Sequence, residues 1–537
     1  MPIRRRSTAL TALGSLLGLA LLLSCAGPKP AANEAKARSR PVVVLGIDGA
    51  SWKVIEALWQ EGRLPHFREL AQRGVRAPLR THYNSSPVIW TTIATGLKPE
   101  EHGITDFVVP TASGDVPVSS SVRRAPALWN MLTRAHRRVA VLGWWASWPA
   151  EAVSGVVVSD RAERAGLPHR VSPPELVETL DRELEKARRG PNPFDSNSGA
   201  RLRDLVMTRL GSRMAREGYD LTLVYLRGVD IVSHQAWKYW QPEAFPDLDL
   251  DPEEAERLRE AVPREYEAAD LALGQLLEAA GGEADVFVIS DHGFRAAPKE
   301  IVRVFLDFDL LLEQLGFLER RPDASVDLSA SRFYAYSSPD FRRAKLVRFC
   351  LAGREPGGRV DPEDRESLRR KLEAELSRIT YTSGSPVFFL RDPRRKERRE
   401  GADFVVVVST REPTEELLYD GRPGRLKGVV RSISRISGTH SEGTEGIFLA
   451  AGPDLDPSAS AAGIDIHDIA PTLLYTLGLP VGENFAGRPW TELFRDDFRR
   501  THPVRTIPAW EVPREGSAST SEVDEEIVRE LKSLGYL

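Results

Sequence analysis

The sequence predicts an α/β protein with a mixed, mostly parallel central sheet, helices on both faces and an inserted cap. Short apolar, β-branched runs alternate along the chain with amphipathic stretches that have helical spacing. Most of these runs lead into glycine, serine, aspartate or histidine, which is typical of buried strands that end at the ligand-binding edge of an open sheet. The length of 537 residues is enough for one large core with an insertion.

Six apolar runs are predicted as buried strands. They are Val42–Ile47, Val139–Gly143, Leu221–Leu226, Asp285–Ile289, Phe404–Val408 and Ile447–Ala451. Amphipathic patterns between them predict helices over Trp52–Arg73, Pro174–Lys186 and Glu253–Ala280. Because strand and helix alternate, we expect helices to cover both faces of one sheet.

Residues 300–400 interrupt this alternation. They contain two helical patterns of their own, Phe305–Leu318 and Glu363–Ile379. We interpret 300–400 as a cap inserted into a catalytic core that consists of residues 41–299 and 401–500.

Residues 501–537 form a polar tail in this interpretation. Its last segment, Glu525–Leu537, places Ile527, Leu531 and Leu534 at helical spacing. We therefore expect the tail to end in a short helix that docks on the core.

The first 24 residues have the pattern of a signal peptide, with the arginines Arg4–Arg6 followed by the apolar run Thr8–Leu23. This run is shorter than the roughly 20 residues that span a bilayer. The residues that end at Cys25 resemble a bacterial lipobox, so we expect Cys25 to be lipidated and residues 25–40 to form a tether. This predicts an exported, membrane-anchored bacterial lipoprotein that faces the periplasm or the cell exterior. An uncleaved anchor or a plain secreted protein is the alternative.

Composition narrows the possible partners. Charged residues make up 28% of the chain and hydrophobic residues 41%, as in ordinary globular proteins, and the formal net charge is −4. This sign argues against binding to nucleic-acid duplexes. The basic run Arg391–Arg399 could attract anionic substrates or form a solvated loop.

Carboxylates and imidazoles follow several of the predicted strands. The six candidates are Asp48, Asp230, His234, Asp291, His292 and His440. Asp230 and His234 are four residues apart and would share one face of a helix. Each residue alone is more typical of a turn or a core, but together they could hold two divalent cations, and imidazole favours zinc over magnesium. Two such ions can activate a hydroxyl and stabilise a leaving oxygen in phosphoryl transfer.

Hydroxyl side chains crowd the segment Ser85–Ile104. A helix that begins near Thr91 would direct free N–H groups and its positive dipole at a phosphoryl oxygen. The alternative is a helix capped by serine and threonine that has no reactive role.

These motifs, in this order, resemble the alkaline phosphatase superfamily over about Pro41–Trp490. The order is Asp, Thr-x-x-Thr-Gly-x-x-Pro-x-x-His-Gly, Asp-x-x-x-His, Asp-His-Gly and Gly-x-His, and its nearest branch is the type I phosphodiesterase/nucleotide pyrophosphatase group. The resemblance implies an alkaline phosphatase-like fold and a threonine nucleophile at Thr92, with Thr91 its close rival. It also implies two zinc sites, one formed by Asp230, His234 and His440 and the other by Asp48, Asp291 and His292.

One position departs from the group: Phe107 stands where its nucleotide pyrophosphatases have an asparagine that contacts phosphate. We therefore expect a two-metal phosphodiesterase of modest activity on nucleotide diesters, with a small phosphoester substrate selected by the cap. A phosphomonoesterase or phospho-substituent transferase is the first alternative, and a catalytically inactive binding lipoprotein is the second. A sulfatase does not fit, because the sequence around Cys350 lacks the C/S-x-P-x-R context.

Overall fold

A computed structural model describes the chain from residue 40 onward, with short gaps. The described residues are 40–111, 114–189, 198–322, 325–336, 344–399, 401–409, 412, 414–440, 444–511, 519–534 and 536. The predicted signal peptide, Cys25 and the tether up to residue 39 lie outside the described residues. Within the described part, no helix has both the length and the apolar character needed to cross a membrane.

The α/β fold is confirmed by a central sheet of eight strands. In spatial order they are Val75–Leu79, Gly446–Ala451, Asp285–Ile289, Val42–Ile47, Leu221–Leu226, Val139–Leu142, Gly155–Val158 and Val171–Ser172. The five strands from Asp285–Ile289 to Gly155–Val158 are parallel, and the other three pair antiparallel with their neighbours. Because the middle strands are buried on both faces, they are almost continuously apolar.

Helices cover both faces of the sheet. One face packs against Trp52–Gln60, Pro65–Gln72, Val177–Arg189, Ser198–Arg216, Gly228–Trp240, Pro252–Leu258 and Ala261–Ala280. The other packs against Ser86–Thr95, Leu128–Arg134, Ile466–Thr476 and Asp496–Thr501. Alternate residues of the first strand serve the two cores, since Val43 and Leu45 face one set of helices while Val42 and Val44 face the other.

The predicted helix over Trp52–Arg73 is divided in two. Gly62, which lies between the halves, has a φ of +78°, a left-handed conformation that glycine adopts without strain. Pro65 then begins the second helix at its first position. The long pattern Glu253–Ala280 is likewise divided, into the helices that end at Leu258 and begin at Ala261.

The helix that we expected to begin near Thr91 begins five residues earlier, at Ser86. Ser85 occupies the N-cap position in an extended conformation without a capping hydrogen bond from its side chain, and Pro87 lies in the first turn. Gly96 ends it in the left-handed conformation, with a φ of 70°. The short helix Pro99–His102 follows.

The inserted region is joined to the core by a two-stranded antiparallel ribbon, Arg295–Leu306 with Val430–Thr439. Between these strands lies a separate apolar core that runs from Phe308 to Val429. Its four-stranded sheet has the order Phe333–Tyr336, Ala344–Phe349, Phe404–Val408 and Phe388–Arg391. Its remaining elements are the helices Phe308–Gln314, Arg365–Ser377 and Arg395–Arg399 and the pair Ile379–Thr380 with Leu418–Tyr419.

The position of Phe404–Val408 corrects the expectation from sequence. We expected this run among the strands of the central sheet, but it pairs antiparallel with Ala344–Phe349 and with Phe388–Arg391. The inserted region therefore continues beyond residue 400. In the basic run, Arg391 forms an ion pair with the buried carboxylate of Glu397 at 2.6 Å.

Three smaller elements complete the structure. The strands Val108–Thr111 and Gly114–Pro117 form a hairpin, and Val481–Gly482 pairs with Thr506–Ile507. The last helix of the described residues is Asp524–Leu534. We call residues 519–536, as far as they are described, the C-terminal segment.

Candidate active site

Three adjacent parallel strands deliver the candidate carboxylates to one edge of the central sheet. Asp48 follows Val42–Ile47, the middle strand of the three. Asp291 follows the neighbouring strand on one side, and Asp230 lies in the first turn of the helix that follows the strand on the other side. Because the carboxyl ends of parallel strands share an edge, separated sequence positions meet there.

The structure brings all six candidate residues together, and we call them the six-residue cluster. His292 Nε2 lies 3.4 Å from Asp48 Oδ1, 3.4 Å from Asp291 Oδ2 and 3.9 Å from Asp230 Oδ1. His234 Nε2 lies 3.5 Å from Asp230 Oδ1. The ring of His440 stacks on that of His292 with centroids 3.7 Å apart. Among the described residues, one possible ligand group is Asp48, Asp291 and His292, and the other is Asp230, His292 and His440. His234, which we expected beside Asp230 and His440, belongs to neither group, although its Nε2 lies close to Asp230.

Hydrogen bonds orient two of the imidazoles toward the cluster. His234 Nδ1 lies 3.0 Å from the carbonyl of Gly438, and His292 Nδ1 lies 3.2 Å from the carbonyl of Gly293. A carbonyl only accepts, so each Nδ1 carries the proton and each Nε2 presents a lone pair. Among the described residues, neither Nε2 has a hydrogen-bond partner, and neither do Asp230 Oδ1 and Asp291 Oδ2. Orienting a histidine through its other nitrogen is typical of metal ligands.

Burial shapes the protonation of the cluster. Desolvation lowers the pKa of His234 and of His292 to about 3, and that of His440 well below its ordinary value. Desolvation raises the pKa of Asp48, and it raises the pKa of Asp230 and of Asp291 well above the ordinary range, with further repulsion between the carboxylates. A divalent cation would offset the repulsion between these crowded carboxylates, and the neutral imidazoles are in the form that can ligate it.

Asp48 is the most heavily bonded carboxylate of the cluster. It accepts hydrogen bonds from Ser86 Oγ at 3.4 Å, from Trp90 Nε1 at 3.3 Å and from the Tyr225 hydroxyl. Burial raises the pKa of Tyr225 well above its ordinary value, so the phenol stays neutral and donates. Trp145 Nε1 in turn donates to the Tyr225 oxygen at 2.7 Å. The sequence analysis did not identify Ser86, Trp90 and Tyr225 as the donors to Asp48.

The predicted nucleophile Thr92 lies away from the cluster. It is six residues beyond Ser86, or about 9 Å along the helix axis, and is rotated to another face. Thr91 lies about 7.5 Å beyond Ser86. Thr92 is fully buried, with its hydroxyl 3.0 Å from His102 Nε2.

His102 acts as a donor to Thr92. The backbone N–H of Ile104 donates to His102 Nδ1 at 3.2 Å, so Nδ1 is the unprotonated nitrogen. Desolvation lowers the pKa of His102 to about 3, which leaves the ring neutral. His102 Nε2 then carries the proton and donates to the Thr92 oxygen. This contact joins the last turn of the helix Ser86–Thr95 to the end of the helix Pro99–His102, and it provides no base for Thr92.

Ser86 places an aliphatic hydroxyl beside the cluster. It is the first residue of a ten-residue helix, and its side chain reaches Asp48. The signal was present in the sequence, because a serine pair followed by proline is a typical helix start. We instead expected the helix to begin near Thr91 because of the threonines Thr91, Thr92 and Thr95, and this expectation was wrong.

A cavity opens from the cluster toward the C-terminal segment. Its lining residues are Asp48, Phe107, Pro117, Val118, Trp145, Asp160, Arg161, Glu163, Arg164, Arg203, Tyr225, Arg227, Ile231, Ile527, Glu530, Leu531 and Tyr536. None of these lining residues belongs to the inserted core between Phe308 and Val429. Phe107 is buried and stacks on Tyr536 with ring centroids 4.9 Å apart. The C-terminal segment, rather than the inserted region, forms a wall of this cavity.

A third group of possible metal ligands, which sequence reasoning missed, consists of His82, Asp465 and His467. Asp465 lies 2.5 Å from His82 Nε2 and 2.6 Å from His467 Nδ1, and it caps the helix Ile466–Thr476. Hydrogen bonding and helix capping account for this arrangement.

The buried carboxylate and imidazole cluster beside a helix-terminal hydroxyl is typical of the phosphoester hydrolases that use divalent cations. Residues 42–420 match the profile of the type I phosphodiesterase/nucleotide pyrophosphatase family, and the chain belongs to this family. Five of the six cluster residues lie within that match, and His440 lies beyond it. Membership supports a metal-dependent phosphoester hydrolase.

Solved structures of the same general kind are distant in sequence. Murine ectonucleotide pyrophosphatase/phosphodiesterase 5 is 14% identical over 82% of this chain and 95% of that chain, with a TM-score of 0.41. The phosphonoacetate hydrolase of Sinorhizobium meliloti 1021, in complex with phosphonoformate, is 16% identical over 82% of this chain and 95% of that chain, with a TM-score of 0.40. No curated protein matches the chain.

Proposed function

We propose that the protein hydrolyses phosphodiesters with two divalent cations, zinc in the first instance. Asp230, His234 and His440 would hold one ion, and Asp48, Asp291 and His292 the other. The observation that carries this proposal is a set of four buried side-chain atoms, which have no hydrogen-bond partner among the described residues and could each ligate a metal ion. They are Asp230 Oδ1, His234 Nε2, Asp291 Oδ2 and His292 Nε2. Bound cations would supply Lewis acidity toward a phosphoryl oxygen and lower the pKa of a nearby hydroxyl.

The nucleophile in this proposal is Ser86 rather than Thr92. The Ser86 hydroxyl donates to Asp48 Oδ1, which directs the oxygen lone pairs away from that carboxylate. Ser86 Oγ attacks phosphorus and the bond to one ester oxygen breaks, so that Ser86 becomes esterified to the remaining phosphomonoester and the serine proton ends on the departing alcohol. Water then hydrolyses the ester, which releases the phosphomonoester product and restores Ser86. The positive end of the helix dipole at Ser86 favours the anionic substrate.

The lining of the cavity favours a diester over a monoester. Phe107, Val118, Trp145 and Ile231 present an apolar surface that suits an esterified group. A monoester has no second esterified group to occupy this surface, and Arg161, Arg164 and Arg227 lie toward the C-terminal segment, where Arg161 pairs with Asp524 at 2.9 Å. A phosphomonoesterase is the second candidate, because those arginines line the same cavity as Asp48.

The test compares kcat/KM for bis(4-nitrophenyl) phosphate and for 4-nitrophenyl phosphate, with elemental analysis of the purified protein. We expect about two divalent ions per chain and faster diester hydrolysis. Asp291→Asn should lower kcat/KM about a hundredfold or more and reduce the metal content. Asp285→Asn is the matched control, since Asp285 is a buried aspartate at the opposite end of the same strand.

Two results would change this proposal. Full activity and metal content in Asp291→Asn would refute the assignment of the site. A faster monoester reaction with normal metal content would replace the phosphodiesterase with the phosphomonoesterase.

We further propose that Cys25 carries a lipid anchor and that the catalytic core is exported. The support is the lipobox-like sequence that ends at Cys25, after an arginine-rich start and a short apolar run. The tether of residues 25–40 would then connect the membrane to the folded core.

A further inference from the structure

The last described residue, Tyr536, lies directly against the six-residue cluster. Its hydroxyl donates to Asp230 Oδ2, and its ring meets the ring of His234 edge to face with centroids 5.6 Å apart. The same ring stacks on Phe107. The end of the C-terminal segment therefore occupies space beside the proposed reaction centre.

The helix Asp524–Leu534 presents carboxylates to arginines of the same cavity. Arg161 Nη1 lies 2.9 Å from Asp524 Oδ1, and Arg164 forms ion pairs with both Glu526 and Glu530. One side of the helix therefore carries carboxylates that pair with these arginines. Docking of the apolar residues of the helix would not by itself require such pairs.

Hydrogen bonds within the core hold the guanidinium groups of Arg161 and Arg227 in place independently of the C-terminal segment. Arg161 Nη2 donates to the carbonyls of Pro117 and Val118, each at 3.2 Å. Arg227 Nη2 donates to Glu163 at 2.9 Å and lies 3.9 Å from Glu530. A guanidinium buried like that of Arg161 requires nearby anions, and here Asp160 of the core and Asp524 of the C-terminal segment both compensate its charge.

We propose that Arg161, Arg164 and Arg227 form an anion subsite next to the reaction centre, and that the carboxylates of the C-terminal segment occupy it as an internal ligand. The subsite would take a second oxyanion group, a phosphate or a carboxylate, carried by the phosphodiester substrate. Arginine suits such a group because its planar fork can donate two parallel hydrogen bonds. The substrate would displace the segment on binding. The assignment of a phosphodiester substrate rests on the proposed function.

The first experiment does not depend on turnover. Hydrogen exchange of residues 524–534 is measured in the full chain, in chelator, with increasing inorganic phosphate against sodium chloride of equal ionic strength. Phosphate should increase exchange in this helix more than chloride does, because it competes with the carboxylates for the arginines. Arg164→Gln should weaken this phosphate effect.

The second experiment uses charge-neutral variants. Glu526→Gln combined with Glu530→Gln should raise kcat/KM roughly three- to tenfold for a diester that carries an additional carboxylate, and less for bis(4-nitrophenyl) phosphate. Glu492→Gln is the matched control, since Glu492 forms a comparable pair with Arg488 at 2.9 Å on the exposed surface.

The two experiments separate the possible failures. If phosphate leaves exchange of residues 524–534 unchanged, or the double variant lowers turnover, the segment is a fixed wall and the subsite is refuted. If no variant hydrolyses any ester but phosphate still increases exchange through Arg164, the subsite stands and the proposed function fails.

Discussion

Replacing Ser86 by alanine tests the proposed nucleophile. The variant loses one hydroxyl whose hydrogen bond to Asp48, at 3.4 Å, is long and therefore weak. We expect its free energy of unfolding to fall by less than about 1 kcal/mol. Turnover should fall by about 10⁴-fold or more, as expected when an enzyme loses its nucleophile. A loss of that size corresponds to about 5.5 kcal/mol of transition-state stabilisation.

Thr92→Val is the matched comparison, because valine has nearly the same shape as threonine. It removes the acceptor of the His102 Nε2–H bond and leaves that donor buried. We expect the free energy of unfolding to fall by about 1 to 3 kcal/mol. The folded fraction should keep most of its turnover.

The assay measures kcat for bis(4-nitrophenyl) phosphate, metal content and urea unfolding of both variants. The expected pattern is an inactive, stable Ser86→Ala protein and an active, less stable Thr92→Val protein. The reverse pattern in kcat, with both variants folded and metal-loaded, would refute Ser86 and restore Thr92 as the nucleophile.

Three further predictions concern stability and export. Burial raises the pKa of Glu265 to about 7, so the stability contributed by its protonated form is fully present below about pH 4.5 and is lost as pH rises through 7. In urea unfolding, the free energy of unfolding of Glu265→Gln relative to wild type should therefore increase by up to roughly 3 kcal/mol between pH 5 and 8. A difference that stays constant with pH would contradict this. Glu151→Ala removes the carboxylate beside buried Arg123 and should cost about 3 to 5 kcal/mol, measured as a lower Tm; an unchanged Tm would exclude this role. Cys25→Ala should move the protein from the membrane to the soluble fraction or leave it unprocessed, whereas a membrane-bound, processed variant would argue against lipidation.

The six-residue cluster could be predicted because its signals are local. Asp48 and Asp291 each follow a buried apolar run, and the edge shared by parallel strands then brings them together without further information. The four-residue spacing of Asp230 and His234 likewise encodes one helical face.

Other features depend on contacts that no local pattern specifies. The run Phe404–Val408 is apolar enough for either sheet, and only its pairing with Ala344–Phe349 decides between them. Tyr536 and Asp230 are 306 positions apart, so the contact between the C-terminal segment and the cluster could not be inferred from spacing. The helix that we expected to begin near Thr91 begins at Ser86, and this shift of about one and a half turns places Ser86 beside Asp48.

The position of the inserted region changes what it can contribute to activity. The ribbon strand Val430–Thr439 leads directly into His440, and the carbonyl of Gly438 orients His234. The same strand is held to the helix of His234 by the Lys238 N–H, which donates to Ser437 Oγ at 3.1 Å. Since none of the described residues of the inserted core lines the cavity, the connection that the structure describes between this core and the reaction centre runs through the ribbon. Changes within the inserted region should therefore alter metal affinity more than the choice of substrate.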